Sequence, residues 1–120
     1  MAKGSALKPG SGQAAEDMAA DWLQRKGLHL LTRNFRCKAG EIDLVLRDGA
    51  SLVFAEVRYR SGSSFGGAAA SITAKKRQRI ITAARYYLMN KPDQACRFDV
   101  IVLDRLEPAS IEWLRDAFGE

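Results

Sequence analysis

The sequence predicts an α/β domain in which helices flank a central mixed β-sheet, and three observations lead there. Residues 40–60 alternate apolar and polar side chains around an Asp48-Gly49 pair, which is a strong β-hairpin signal. Two other segments carry apolar residues at the spacing of amphipathic helices. Residues 97–103, RFDVIVL, form an apolar run with the length of a buried strand. With two further strands, these segments give the order α-β-β-β-α-β-β.

Composition limits the class of protein. The chain has 120 residues, of which 47% are hydrophobic, so we expect a flexible tail at residues 1–10 and one globular domain at 11–120. No apolar run approaches the ~20 residues of a membrane span. The N-terminus lacks the apolar core of a signal peptide, so we expect a cytoplasmic protein in which Cys37 and Cys96 stay free thiols.

Charge is distributed unevenly along the chain. Between Arg58 and Arg97 there are nine basic residues and one acid, a net charge of +8, whereas the remainder carries −3 and the whole chain +5. A basic segment on a near-neutral body is typical of a protein that binds a polyanion. A solvated helix face would give the same pattern, so charge alone leaves both interpretations open.

The first helix is predicted from Ser11, a capping residue, to about Lys26, with Gly27 as its stop. Its apolar stripe comprises Ala15, Met18, Ala19, Trp22 and Leu23. Glu16 borders this stripe, where a side chain is either solvated or able to reach a site at the sheet surface. Residues 28–37 then form the first strand of the predicted sheet.

The second helix is predicted from a Thr73 cap to about Asn90. Its apolar stripe comprises Ile80, Ile81, Ala84, Tyr87 and Leu88. Its first turns carry four cations, Lys75, Lys76, Arg77 and Arg79. They oppose the helix dipole at about 0.3–1 kcal/mol each. Neither solubility nor helix stability requires this placement, whereas contact with nucleic-acid phosphate would account for it.

The remaining segments are a loop and two strands. Residues 61–67, SGSSFGG, have the composition of a loop, in which Phe65 either anchors the loop to the core or stacks on a base. The apolar run at 97–103 places Asp99, another acid, in apolar company. Residues 110–114 are expected to add an edge strand.

The hairpin carries acids that need an explanation. Because residues two apart on a strand share a face, Glu41, Asp43, Glu56 and Arg58 are predicted on one face, while the other face is almost wholly apolar. A buried carboxylate is costly unless it is paired or binds a metal. Two interpretations stay open: a solvated outer face with a surface Glu56–Arg58 ion pair, or a divalent-metal site of Asp43 and Glu56 with Arg58 beside it.

Several stretches together resemble the YraN family of small bacterial proteins, which is similar to a branch of the PD-(D/E)xK nuclease superfamily. They span about residues 12–103 and comprise Gly12 with AEDMAADWL, Asn34-Phe35-Arg36, GEIDLV, LVFAEVRYR, Phe65-Gly66-Gly67, the helix from Lys75 to Leu88, and RFDVI. The resemblance implies a restriction-endonuclease-like fold, as in archaeal Holliday-junction resolvases. Resolvases act as symmetric pairs, so the resemblance leaves a homodimer open.

The resemblance also implies roles for particular residues. Asp43 matches the first Asp of the motif and Glu56 its second acid, and the Val57 carbonyl would complete a partial cage for Mg²⁺ or Mn²⁺. Glu16 matches the first-helix Glu that resolvase-like members use. Arg58 stands where Lys is usual. Lysine can lose its proton and arginine effectively cannot, so Arg58 would act by neutralising the scissile phosphate.

The sequence departs from the family pattern at three further positions. Ala15 stands where Gly is usual, Ala68 where Pro is usual, and Ala70 where Glu is usual. The last departure removes an extra acid near the site. Lys75 or Lys76 can substitute for the missing lysine only if the fold brings one of them within reach.

These observations lead to three hypotheses. The first is a metal-dependent DNA endonuclease for branched or structured DNA, in which Asp43 and Glu56 bind the metal, Glu16 assists and Arg58 contacts the phosphate. Its DNA backbone would be held by Arg60, Lys75, Lys76 and Arg79. The second is a catalytically inactive nucleic-acid-binding module with the same fold. The third is a protein-interaction domain whose basic helix docks on an acidic partner.

Overall fold

Five strands form one mixed sheet with a helix packed on each face. The structure, a computed structural model, describes residues 10–60 and 72–119. Its elements are α1 (Gly10–Arg25), β1 (His29–Cys37), β2 (Gly40–Asp48), β3 (Ser51–Tyr59), α2 (Ala74–Leu88), β4 (Cys96–Leu103), a 3₁₀ turn (Pro108–Ser110) and β5 (Glu112–Phe118). This order and this sheet confirm the predicted fold class. The predicted loop with Phe65, and the substitutions at Ala68 and Ala70, lie outside the described residues.

The strands lie side by side in the order in which they occur along the chain. Neighbouring strands are antiparallel except for β3 and β4, which are parallel. The chain reverses between β2 and β3 over two residues, since Asp48 pairs with Ser51. Gly49 has φ 62° in this turn, a conformation that glycine adopts without steric cost. The tight turn therefore fixes the register of the hairpin.

One face of the sheet is covered by α1. The predicted stripe of this helix packs on apolar side chains of β2, β3 and β4, among them Leu44, Val53 and Ile101. The helix is followed by Gly27 at φ 103°, which confirms the predicted stop. Burial of a side chain such as Leu23 in this layer contributes roughly 1.5–3 kcal/mol.

The other face is covered by α2. Thr73 caps this helix, because its hydroxyl accepts a hydrogen bond from the Lys76 amide at 3.0 Å. The predicted stripe packs on β2, β3 and β4, where Tyr87 meets the edge of Phe54 with ring centroids 5.8 Å apart. Ile42 also packs here, whereas strict alternation places it on the opposite face with Leu44. The alternation is interrupted in this region, where Asn34 on the paired strand β1 has φ 53°.

Both faces of the hairpin are therefore covered by helices. The interpretation of a solvated outer face is wrong, because α2 packs over the face that carries Glu56. Neither helix in the described part of the chain is long and apolar enough to cross a membrane. Cys37 and Cys96 form no disulfide, as predicted.

Candidate active site

The centre of the candidate site is a fork between β2 and β3. Their pairing ends at Leu44 and Ala55, after which β2 stays paired with β1 and β3 with β4. Continuing the hairpin register by one pair sets Asp43 opposite Glu56. Asp43 Oδ2 accepts the Val57 amide at 2.9 Å, so a carboxylate stands where the strands separate.

Asp43 and Glu56 are both buried, with 6% and 5% of their surface exposed. Burial, followed by the negative charge of Asp43, raises the pKa of Glu56 from 4.5 to about 7. The two carboxylates are thus close enough to repel each other. The hairpin brings together the two acids that the sequence predicted as metal ligands, and a cation between them would relieve this repulsion.

Two cations approach Glu56 Oε2 from different elements. Arg58 Nη1 lies 3.7 Å away on the same strand, and Lys76 Nζ lies 3.4 Å away on α2. Both charges lower the pKa of Glu56, but burial and Asp43 outweigh them. The fold therefore brings Lys76, and not only Arg58, to the predicted acid pair.

Glu16 occupies a different environment from the acid pair. It is buried on α1, with 2% of its surface exposed, and Arg33 on β1 approaches it, with 3.7 Å between Nη2 and Oε1. Arg33 also donates to Asp17 at 2.6 Å, so it ties the helix to the edge of the sheet. Glu16 is thus placed on the α1 side, whereas Glu56 faces α2.

The residues predicted to bind nucleic acid fall into two groups. Lys75, Lys76 and Arg79 lie on the first turns of α2, where Lys75 and Arg79 are exposed. Arg60 lies just beyond β3, and its guanidinium reaches Asp104 just beyond β4, with 3.3 Å between nitrogen and oxygen. The basic surface is therefore carried mainly by α2.

Two carboxylates of the site are the side chains that could hold a metal ion. No three His, Cys, Asp or Glu side chains of residues 10–60 and 72–119 form a group that could hold a metal ion. Mg²⁺ is commonly bound through one or two carboxylates, with water and substrate phosphates as the other ligands. Asp43 and Glu56 match that minimal donor set. The Val57 carbonyl remains a predicted ligand, and the Val57 amide holds Asp43 in place.

Another buried acid, Asp99, lies on β4, the strand next to β3. It is 0% exposed, and its oxygens accept from Arg97 Nε at 3.0 and 3.2 Å, from Trp113 Nε1 at 2.9 Å and from the Asp116 amide at 2.9 Å. Its donors come from β4 and β5 and join the edge strand to the sheet. Asp99 is therefore a structural carboxylate.

The fold and site together define an α/β protein consistent with a nuclease-like fold, with a buried carboxylate pair where its central strands diverge. The model of the uncharacterised protein family UPF0102 matches residues 15–103. The chain belongs to this family, the YraN family that the sequence resembles.

Relatives of similar length support this assignment. A UPF0102 protein of Dechloromonas aromatica is 56% identical over 108 residues, which cover 90% of this chain and 88% of the relative. Another, of Aeromonas hydrophila, is 51% identical over 114 residues, which cover 92% of this chain and 85% of the relative. A third, of Methylobacillus flagellatus, is 50% identical over 108 residues, covering 90% and 96%.

Sequence reasoning missed two sets of residues near the site. One is Arg33, which pairs with Glu16; it is one of two arginines on β1, and no local pattern distinguishes it from Arg36. The other is the end of β1 and the turn after it, where Arg36 and Lys38 face the first half of α2. Their spacing on either side of Cys37 is visible in the sequence, but only the packing of α2 shows which surface they share.

Proposed function

We propose that this protein is a metal-dependent endonuclease that hydrolyses phosphodiester bonds in branched or structured DNA. The observation that carries the proposal is the buried Asp43–Glu56 pair at the fork, with Arg58 and Lys76 beside it. Two adjacent buried carboxylates destabilise a fold unless they are neutralised. Such an arrangement is typical of a functional site, where perturbed pKa values cluster.

Asp43 and Glu56 would hold the divalent cation, Mg²⁺ or Mn²⁺, with the Val57 carbonyl as a further ligand. When bound, the ion lowers the pKa of a water molecule and neutralises charge on the phosphate. Because Asp43 accepts the Val57 amide, its carboxylate has a fixed orientation before any ligand arrives. Such pre-organisation avoids a cost of reordering during the reaction.

Arg58 and Lys76 supply positive charge where the phosphate gains negative charge. The planar guanidinium of Arg58 suits bidentate contact with two phosphate oxygens. The ammonium of Lys76 has three donors on a flexible stem, so it can orient the attacking water while it contacts Glu56. Lys76 thus takes the place of the lysine that the family pattern puts at position 58. Glu16, on α1, assists the reaction. A variant of Glu16 is therefore tested in the cleavage assay described below.

The basic residues of α2 support a preference for DNA structure over DNA sequence. Lys75, Lys76 and Arg79 are long cationic side chains that can neutralise backbone phosphates. Contacts of this kind position a nucleic acid without reading its sequence. The resemblance to Holliday-junction resolvases supports a branched substrate.

The test is a cleavage assay with matched substrates. Purified protein is incubated with a four-way junction, a flap and a linear duplex of the same sequences, in Mg²⁺, in Mn²⁺ and in EDTA. We expect cleavage of the branched substrates with either metal, and none with EDTA. Asp43→Asn and Glu56→Gln should strongly reduce cleavage, whereas Asp21→Asn, on the exposed surface of α1, should leave it unchanged.

The proposal fails if no substrate is cut under any metal condition. It also fails if Asp43→Asn cuts as fast as the wild type, because the activity would then come from a contaminant or from another site.

A second candidate function is that of a nucleic-acid-binding module without turnover. It is favoured by the presence of arginine at position 58 and by the absence of a third acid beside Asp43 and Glu56 in the described ranges. This function predicts salt-sensitive DNA binding that EDTA and Glu56→Gln leave unchanged. Binding that strictly requires metal would contradict it.

A further inference from the structure

A basic cleft lies beside the acid pair, between the β1–β2 turn and the first half of α2. Its volume is about 360 Å³, and the described residues that line it include four cations, Arg36, Lys38, Lys76 and Arg79. Among these described residues the one acid is Glu41, whose Oε1 lies 3.0 Å from Arg36 Nε. The cleft therefore retains a clear excess of positive charge.

The wall of this cleft is built by close packing of the turn on the helix. Arg79 Nε donates to the Ala39 carbonyl at 3.4 Å, which holds the guanidinium against the turn. Gly40 has φ 157°, and a Cβ at this position would lie 3.3 Å from the Arg79 Cβ. Because Gly40 has no side chain, the turn can pack closely on α2. This packing places Lys38 and Arg79 around the same cleft.

Lys76 connects the cleft to the candidate active site. Its side chain lines the cleft, while its Nζ lies 3.4 Å from Glu56 Oε2. An anion in the cleft would therefore share Lys76 with the carboxylate pair.

We propose that this cleft is a binding subsite for a phosphodiester of the nucleic-acid strand, next to the phosphate held at the acid pair. The inference rests on the proposed function and extends it, since it names the residues that position the strand: Arg36, Lys38 and Arg79, with Lys76 shared. A phosphate is favoured over a carboxylate ligand because several cations converge on a space larger than one small anion. The backbone of a nucleic-acid strand carries these negative phosphate charges one after another.

Cys37 makes the cleft directly observable, because it lies in the lining and is partly buried, whereas Cys96 lies at the start of β4 outside it. In a Cys96→Ser protein, the rate of maleimide modification reports on Cys37 alone. In EDTA at low salt, we expect a single-stranded DNA oligonucleotide to slow this reaction several-fold. High salt should remove the protection. Cys96 in a Cys37→Ser protein should react equally fast with and without DNA.

The probes distinguish the source of the phosphate. Protection by the oligonucleotide, but not by inorganic phosphate or by the same oligonucleotide with neutral methylphosphonate linkages, supports a strand subsite. Protection by inorganic phosphate at the same concentration of phosphate groups would overturn it in favour of a small-anion site. Unchanged Cys37 reactivity with DNA, or equal protection of Cys96, would also overturn it.

Charge variants test the same cleft by affinity. Lys38→Gln and Arg79→Gln should each weaken DNA binding and reduce the slope of log affinity against log salt by about one contact, or roughly 0.7–0.9. Lys91→Gln removes the same charge just beyond α2 and should change the slope far less. Equal slopes for all three variants would contradict a localised subsite.

These measurements separate the cleft from the nuclease proposal, because they are made in EDTA with no bond cleaved. If Cys37 is protected but no substrate is ever cut, the cleft stands as a nucleic-acid site and the enzyme proposal falls. If substrates are cut but Cys37 is not protected, the enzyme proposal stands and the cleft inference falls.

Discussion

Asp99 and Glu56 are buried acids on neighbouring strands, and they are stabilised in different ways. Asp99 accepts four hydrogen bonds of 2.9–3.2 Å from Arg97, Trp113 and the Asp116 amide. Glu56 has its cations at 3.4 and 3.7 Å, and burial together with Asp43 raises its pKa to about 7. The carboxylate of Asp99 thus receives directed donors from the fold, whereas that of Glu56 is left under-neutralised, as we would expect of a group that binds a ligand.

The largest effect is expected from Asp43→Asn, measured as the rate of DNA cleavage. The amide oxygen can still accept the Val57 N–H, so the fold should be kept, but the negative charge that attracts a cation is lost. We expect cleavage to fall by about 10³-fold, equivalent to roughly 4 kcal/mol. The melting temperature should stay close to that of the wild type, and Asp21→Asn is the control.

A large fall in the melting temperature of Asp43→Asn would contradict the distinction from Asp99, because Asp43 would then also be required for stability.

The second effect is expected from Asp99→Asn, measured by denaturant unfolding. The asparagine NH₂ group would face N–H donors that now donate to the carboxylate. At least one of these buried hydrogen bonds would therefore be lost. We expect a loss of about 3 kcal/mol of unfolding free energy. Asp93→Asn, at an exposed position after α2, should change stability by less than about 0.5 kcal/mol. Wild-type stability in Asp99→Asn would show that these bonds contribute little.

The third effect concerns pH and Glu56→Gln. Because the pKa of Glu56 is about 7 in the folded state, against 4.5 as its ordinary value, the folded protein binds the proton more tightly. The protonated Glu56 carboxyl therefore contributes fully to the free energy of unfolding below pH 4.5, and this contribution is lost as the pH rises through about 7. Removing the charge should therefore stabilise the protein by about 2 kcal/mol at pH 8.

Unfolding curves from pH 4 to 8 measure this directly. The wild type should lose stability between pH 4.5 and 7 relative to Glu56→Gln, whereas Glu112→Gln, at an exposed position on β5, should follow the wild type. If the unfolding free energies of the wild type and Glu56→Gln changed equally with pH, the negative charge of Glu56 would be compensated by its surroundings, and the contrast with Asp99 would be wrong. Added Mg²⁺ should stabilise the wild type at pH 8 and not the variant.

The smallest effect is expected from Lys76→Met. Its charge lies beside Glu56 and would act on the phosphate, so the rate of cleavage at saturating DNA should fall about tenfold, or roughly 1.4 kcal/mol. Lys76→Arg keeps the charge and should retain part of the rate. Lys91→Met controls for general loss of charge. An unchanged rate in Lys76→Met would assign the phosphate contact to Arg58 alone.

Much of this arrangement can be predicted from local signals. The Asp48-Gly49 turn and the alternation around it predict that Asp43 and Glu56 lie near each other, because a two-residue turn fixes strand register. The helix stripes predict which side chains face the sheet. Both kinds of signal depend on residues close together in the sequence.

The remainder depends on how distant elements pack. That Lys76 reaches Glu56, and that Arg33 reaches Glu16, follows from the position of each helix along the sheet, which no local pattern determines. The burial of Glu56 was open for the same reason, since its alternating strand fits a solvated face equally well. The basic cleft combines a turn and a helix about forty positions apart along the chain.

The two-residue reversal between β2 and β3 has a consequence for how this protein can vary. Side chains on a strand alternate between faces, so inserting or deleting one residue there would rotate one carboxylate away from its partner while leaving every amino acid of the pair in place. The length of this turn is thus as important to the pair as the identity of its acids. A relative that retained both acids but lengthened the hairpin by one residue would be expected to fold and yet lack the site.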